Sequence, residues 1–106
     1  MRKFLLVLTT LPEEKKAREV AEKLVEERLA ACVTVSPAAQ SFYRWKGRIT
    51  KDQEHILFIK TKASVYSRLE ARLKELHPYT VPEIIAFPVE RGLEKYLSWL
   101  SEETGS

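Results

Sequence analysis

The sequence predicts a single α+β domain of the split β-α-β kind, and three observations carry that prediction. Its 106 residues leave room for one domain only, given a usual size of roughly 100–150 residues. Short β-rich apolar runs alternate with two longer stretches of helical periodicity in the order β-α-β-β-α-β-α. Between the two β-α halves lies a long stretch that reads as a hairpin, and this is the arrangement of a ferredoxin-like sandwich.

Phe4-Leu-Leu-Val-Leu8 is short and continuously apolar, as a strand buried on both faces requires. Thr9-Thr10-Leu11-Pro12 punctuates it. Pro12 then stands where a helix start loses nothing by a missing N–H, and Glu13 and Glu14 suit the positive end of the helix dipole. Ala17, Val20, Ala21, Leu24, Val25 and Leu29 step by three and four, so they form the apolar stripe of a first helix whose other face is charged.

Ala30 to Val35 reads as a second strand that stops at Ser36-Pro37. From Ser41 to Thr50 the pattern alternates, which puts Tyr43, Trp45 and Ile49 on one dry face and Arg44, Lys46 and Arg48 on the other. Lys51-Asp52-Gln53 is read as the hairpin turn and Glu54 to Thr61 as the returning strand. A second helix runs from Ser64, its expected N-cap, through Leu69 and Leu73 to Leu76, and ends before His77-Pro78. Tyr79 to Pro82 connects to a fourth strand over Glu83–Val89. Leu93, Leu97 and Leu100 mark a short last helix on which Tyr96 and Trp99 are docking residues, and Ser101–Ser106 reads as a frayed tail.

If the helices cover one sheet face, the first and last strands are too apolar for the other face to be wet. The chain is therefore expected to be an obligate oligomer. No apolar run approaches the roughly 20 residues of a membrane span, and the start at Arg2-Lys3 lacks the marks of a signal peptide. With a lone cysteine, these features predict a cytoplasmic protein without membrane contact. The absence of Asn and the abundance of Glu, Lys and Arg predict heat resistance, with unfolding above the ordinary range of roughly 45–65 °C.

Residues 41–74 carry nine basic side chains against three acidic ones, but no basic run and no RNA-binding aromatic signature. They are read as a solvated face, and no nucleic-acid partner is expected. Three glycines cannot build a phosphate-cradling loop, and no CxxC, HxxxH or HExxH spacing occurs, so any metal site must be assembled across space or across subunits. No Ser/His/Asp grouping or close carboxylate pair stands out, which argues against an enzyme.

The individual candidates keep two readings each. Cys32 is a small hydrophobe in an apolar strand or a thiolate ligand. His77 complements a helix C-terminus or contacts a metal or ligand. Glu83 accepts structural hydrogen bonds at a strand start or serves a site, and Tyr43 and Trp45 are interface aromatics or a ligand platform.

Several linked blocks together resemble the CutA divalent-cation tolerance family: Val7-Leu-Thr-Thr10, Leu29-Ala-Ala-Cys-Val33, Ser41-x-Tyr43-x-Trp45-x-Gly47-x-Ile49, Ile59-Lys-Thr61, His77-Pro-Tyr-x-Val-Pro-Glu-Ile-Ile85 and Tyr96-Leu-x-Trp-Leu100. The resemblance implies a ferredoxin-like homotrimer that binds copper or another divalent cation, with the hairpin reaching a neighbour. It implies His77, Cys32 and Glu83 as metal ligands and Tyr43, Trp45, Lys60 and Tyr79 as residues lining a cleft between subunits. Thr9 stands where some bacterial members carry a cysteine of their copper site. By architecture the family also resembles the PII signalling trimers, which leaves an anion or small-molecule sensor using Lys60 as the rival, and a ligand-free scaffold as a third reading.

Overall fold

A computed structural model describes residues 3–105, so Arg2 and Ser106, both used above, lie outside the described residues. Strand β1 (Phe4–Leu11) leads into helix α1 (Glu14–Glu26), then the long strands β2 (Cys32–Trp45) and β3 (Arg48–Lys62) form a hairpin. A 3-10 turn over Ala63–Val65 opens helix α2 (Tyr66–Leu76), and β4 (Ile84–Val89) and α3 (Glu94–Glu102) follow. The four strands lie in the order β2-β3-β1-β4, every neighbouring pair antiparallel. This is the expected split β-α-β sheet.

Alternation along the strands decides what each face does. Val7, Leu57 and Ile59 point to the side covered by α1 and α2, where they pack with Val20, Leu24, Leu69 and Leu73 in one fully enclosed core. Among the described residues, α3 covers one corner of the opposite side, where Leu100 and Leu97 pack on Phe4, Ala31 and Val89. Elsewhere this second face presents Leu6, Leu8, Phe58, Ile85 and Phe87, which share it by register, and the last two are exposed. The expectation of an apolar open face holds.

Several boundaries differ from the sequence reading. β1 continues through Thr9-Thr10-Leu11, because Thr9 pairs with Leu57 and Ile84 and Leu11 with His55. α1 stops at Glu26, short of Leu29, and the chain reverses at Arg28 with φ +61. Ser64 is no N-cap: it sits inside the 3-10 turn, and no side chain caps α2. The C-terminal segment is pinned rather than frayed, since Arg28 Nε donates to the Gly105 carbonyl at 2.9 Å, Gly105 N–H donates to the Arg28 carbonyl at 2.8 Å, and Thr104 is buried. Tyr96 and Trp99 meet as tilted rings with centroids 5.6 Å apart and stay partly exposed, while Leu97 and Leu100 do the docking.

The hairpin is the largest correction. Its turn is Lys46-Gly47, not Lys51-Asp52-Gln53; both turn residues have positive φ, +50 and +76, as a two-residue turn of the mirror-image type needs to match strand twist. β2 also runs straight past Ser36-Pro37. There three residues of β2, Val35 to Ala38, advance against two of β3, Leu57 to His55, which is a bulge. A proline fits because β2 is an edge strand, and Ser36 Oγ accepts the Ile56 N–H at 2.8 Å while its own hydroxyl donates to the Pro37 carbonyl at 2.7 Å.

Candidate functional site

The bulge and the turn together build a cleft. Before the bulge, Cys32 and Thr34 oppose Lys60 and Phe58 on the open face; the extra residue flips the parity, so beyond it Ala39, Ser41, Tyr43 and Trp45 take that face. The two-residue turn then sets Tyr43 opposite Thr50 and Trp45 opposite Arg48, with Asp52 and Glu54 two and four residues further along the same side. Ile49 pairs with Arg44 on the other side, so it does not share a face with Tyr43 and Trp45, and Arg48 does. Neither face of the arm is dry within the chain, since residues 42–49 are all exposed.

Facing this strip is the connector between α2 and β4. Together they enclose a cleft of about 550 Å³ lined by Thr10, Tyr43, Trp45, Asp52, Glu54, Pro78, Tyr79, Thr80, Val81 and Glu83. Tyr43, Trp45, Tyr79 and Glu83, expected from the sequence, are brought together here. Lys60 and Cys32 are not: Lys60 Nζ donates to Thr34 Oγ1 at 2.6 Å and lies 3.6 Å from Cys32 Sγ, and this pair sits opposite Leu6, four strand residues or roughly 13 Å along β1 from Thr10.

His77 is the post that holds the connector. Its Nε2–H donates to the Thr10 carbonyl at 2.7 Å and its Nδ1 accepts the Tyr79 N–H at 3.1 Å, so both ring nitrogens are engaged within the chain. This is possible because Pro78 ends α2 at Leu76 and the 9% exposed ring turns back onto the end of β1. Burial pushes the imidazole below its ordinary range, which keeps it neutral as this hydrogen-bond pattern requires, although the Thr10 carbonyl and the nearby Glu54 charge pull the other way.

Tyr79, its ring tilted against that of His77 with centroids 5.0 Å apart, directs its hydroxyl to Glu54 Oε2 at 3.1 Å. Its phenol is pushed up to about 12, first by burial and then by the Glu54 carboxylate. Tyr43 likewise donates to Asp52 Oδ2 and is raised chiefly by that hydrogen bond. Two phenols thus fix two carboxylates, and Glu83 stands as a third on the rim. Among the described residues no lysine, arginine or histidine lines the cleft. Among them, too, no three His, Cys, Asp or Glu side chains stand close enough to hold a metal ion, so His77, Cys32 and Glu83 do not form one cluster.

Asp52, Glu54 and Thr10 are the site residues that sequence reasoning passed over. The usable signal was Lys46-Gly47: read as the turn, it places Asp52 and Glu54 at period two on the face of Tyr43.

Comparison with known proteins agrees with this architecture. Residues 5–103 match the family model described as CutA1 divalent ion tolerance protein. The divalent-cation tolerance protein CutA of Thermus thermophilus is 52% identical over 100 residues, covering 94% of this chain and 97% of that protein. The CutA protein of Mus musculus is 46% identical over 97 residues, and there the match covers 92% of this chain but spans only 55% of the mouse protein. Among solved structures, the Cut A1 divalent cation tolerance protein of Thermus thermophilus superimposes with a TM-score of 0.94 at 51% identity, covering 96% and 99% of the two chains. CutA1 of Oryza sativa superimposes with a TM-score of 0.96 at 38% identity, over 98% of this chain and 95% of that one. The chain belongs to the CutA1 divalent ion tolerance family.

Proposed function

We propose that the protein acts as a homotrimer that binds a divalent cation, copper or one like it, in the acidic cleft, and that it works by binding rather than by catalysis. The observation that carries the reading is electrostatic: Asp52, Glu54 and Glu83 face one cleft that, among the described residues, no basic side chain lines. Carboxylate oxygens suit hard divalent cations, and copper(II) accepts mixed nitrogen and oxygen donors. Within one chain the described donors do not converge into a three-ligand site. A neighbouring chain supplies the missing donor, so metal binding and assembly are linked. The apolar open face with Ile85 and Phe87 exposed, and the bare hairpin arm, are the surfaces that the neighbours cover. His77 serves the site by holding the connector; Glu83 and Glu54 are the ligating groups.

Within one chain the anion-sensor alternative gains no support, because Lys60 lies outside this cleft and is turned onto Thr34 and Cys32. The test is a copper(II) titration of the demetallated protein by calorimetry, with oligomer mass recorded alongside. Saturable binding that weakens at least about tenfold in the double variant Glu54→Gln/Glu83→Gln, with a three-chain mass retained, is the expected result. Binding unchanged in that variant, or lost instead in Lys60→Ala, overturns the metal reading. A one- or two-chain mass for the wild type overturns the trimer.

A further inference from the structure

We infer that the same cleft is built for an organic cation, an ammonium or guanidinium group on a small apolar body; the inference rests on reading the cleft as a cation site and names a second class of ligand for it. Size is the first ground. A hexahydrated metal ion fills about 180 Å³ at some 30 Å³ per water, whereas the cleft holds about 550 Å³, within the usual span of small-molecule sites.

The walls are the second ground. Tyr43, Trp45 and Tyr79 offer three aromatic rings, and aromatic faces attract alkylammonium and guanidinium groups through the ring quadrupole while giving a hydrated metal ion nothing to ligate. Within one chain neither Tyr43 nor Trp45 is consumed by packing, so both rings are open to a ligand or to a group from the neighbour that covers the arm. Two of the rings are also fixed in position, Tyr43 by its hydrogen bond to Asp52 and Tyr79 by its hydrogen bond to Glu54.

Glu54 is the third and strongest ground. It is only 8% exposed, its hydrogen bond is the one from Tyr79, and no ion pair to it is found among the described residues. A largely buried carboxylate that no cation pairs is favoured by a positive partner. The cavity beside it, with Tyr43, Trp45 and Asp52 on the hairpin and Tyr79 and Glu83 on the connector, places that partner in the cleft. Metal chelation here needs a donor from a neighbouring chain, whereas one buried carboxylate and aromatic faces within a single chain are sufficient for an organic cation.

Such a cation has two sources, a diffusible amine or a lysine or arginine of a second copy of the chain, and one experiment separates them. Choline and its uncharged isostere 3,3-dimethylbutan-1-ol are titrated by calorimetry into the oligomer as purified, demetallated protein, together with Glu54→Gln, Trp45→Leu and the wild type loaded with copper(II). Choline binding about tenfold tighter than its isostere, weakened about tenfold by Glu54→Gln and several-fold by Trp45→Leu at constant oligomer mass, supports a diffusible ligand. No choline binding, combined with an oligomer that dissociates on dilution at about tenfold higher concentration in Glu54→Gln than in the wild type, supports the neighbour's side chain. Equal binding of choline and its isostere overturns the inference, as does absence of both effects. If copper binds as proposed while choline does neither, the organic-cation inference fails and the metal reading stands; if neither cation binds and Glu54→Gln leaves the assembly unchanged, both fail.

Discussion

β2 and β3 pass through two environments that differ as much as any in the molecule. At one end, under α1 and α2, Leu57 and Ile59 of β3 are completely enclosed; at the other, Phe42, Trp45 and Ile49 are 65%, 61% and 74% exposed on the arm. One pair of strands therefore serves two ends. In the body, order comes from burial, at roughly 1.5–3 kcal/mol for each large apolar side chain removed from water. On the arm it comes from a two-residue turn, cross-strand pairs and the Tyr43–Asp52 hydrogen bond. The cleft sits at the junction, where Glu54 is already buried and Tyr43 still is not.

The sharpest way to break this comparison is to truncate one apolar side chain in each region. Leu57→Ala is expected to cost about 3 kcal/mol in denaturant unfolding, whereas Ile49→Ala, whose side chain is mostly in water in the chain, is expected to cost under about 0.5 kcal/mol. Equal costs would mean that the arm is packed as firmly as the body in the assembly. Next in size is Gly47→Ala, which forces a side chain into φ +76 and is expected to cost about 1 kcal/mol and to weaken cleft binding through the register of Tyr43 and Asp52. A loss of stability without any change in cleft binding would separate the arm's turn from the site.

Thr9→Val has the opposite sign. Thr9 is fully buried and its hydroxyl has no hydrogen-bond partner among the described residues, so the isosteric valine is expected to stabilise the body by about 1 kcal/mol. A destabilised variant would reveal an unrecognised partner for that hydroxyl. The smallest effect is a pH dependence at the junction. His77 is held below its ordinary value of 6.5 in the folded chain, so the unfolded chain takes up the proton first and the folded state loses stability as pH falls from about 7 through 6.5 and below. Thermal melts from pH 7.5 to 5 are expected to show this slope in the wild type and a shallower one in His77→Gln; identical slopes would remove His77 as the source.

Most of the elements were legible because their patterns are local. The stripe from Ala17 to Leu24, the helix stop at His77-Pro78 and the apolar run at Phe4 each report on neighbours a few residues away. The arm misleads for a physical reason: Lys51-Asp52-Gln53 has the composition of a turn, yet Gly47 is the residue that tolerates the backbone a tight hairpin requires. Ser36-Pro37 likewise looks like a strand end, and becomes a bulge only because β2 lies at an edge where the missing N–H is harmless. The candidate site divides along the same line. Tyr43, Trp45, Tyr79 and Glu83 were found as residues, and Asp52 and Glu54 were missed because their membership depends on register.

By itself, then, the sequence determined the order of elements, the helix faces and an apolar open sheet face, since all of these follow from periodicity and hydrophobic content along the chain. Only the tertiary structure decided which face Tyr43 and Trp45 occupy, that Lys60 and Cys32 lie apart from them, and that His77 is spent on bracing the connector. Parity in a strand changes with every inserted residue, and a ring nitrogen is free or engaged according to what is folded against it. Both are properties of contacts between distant segments.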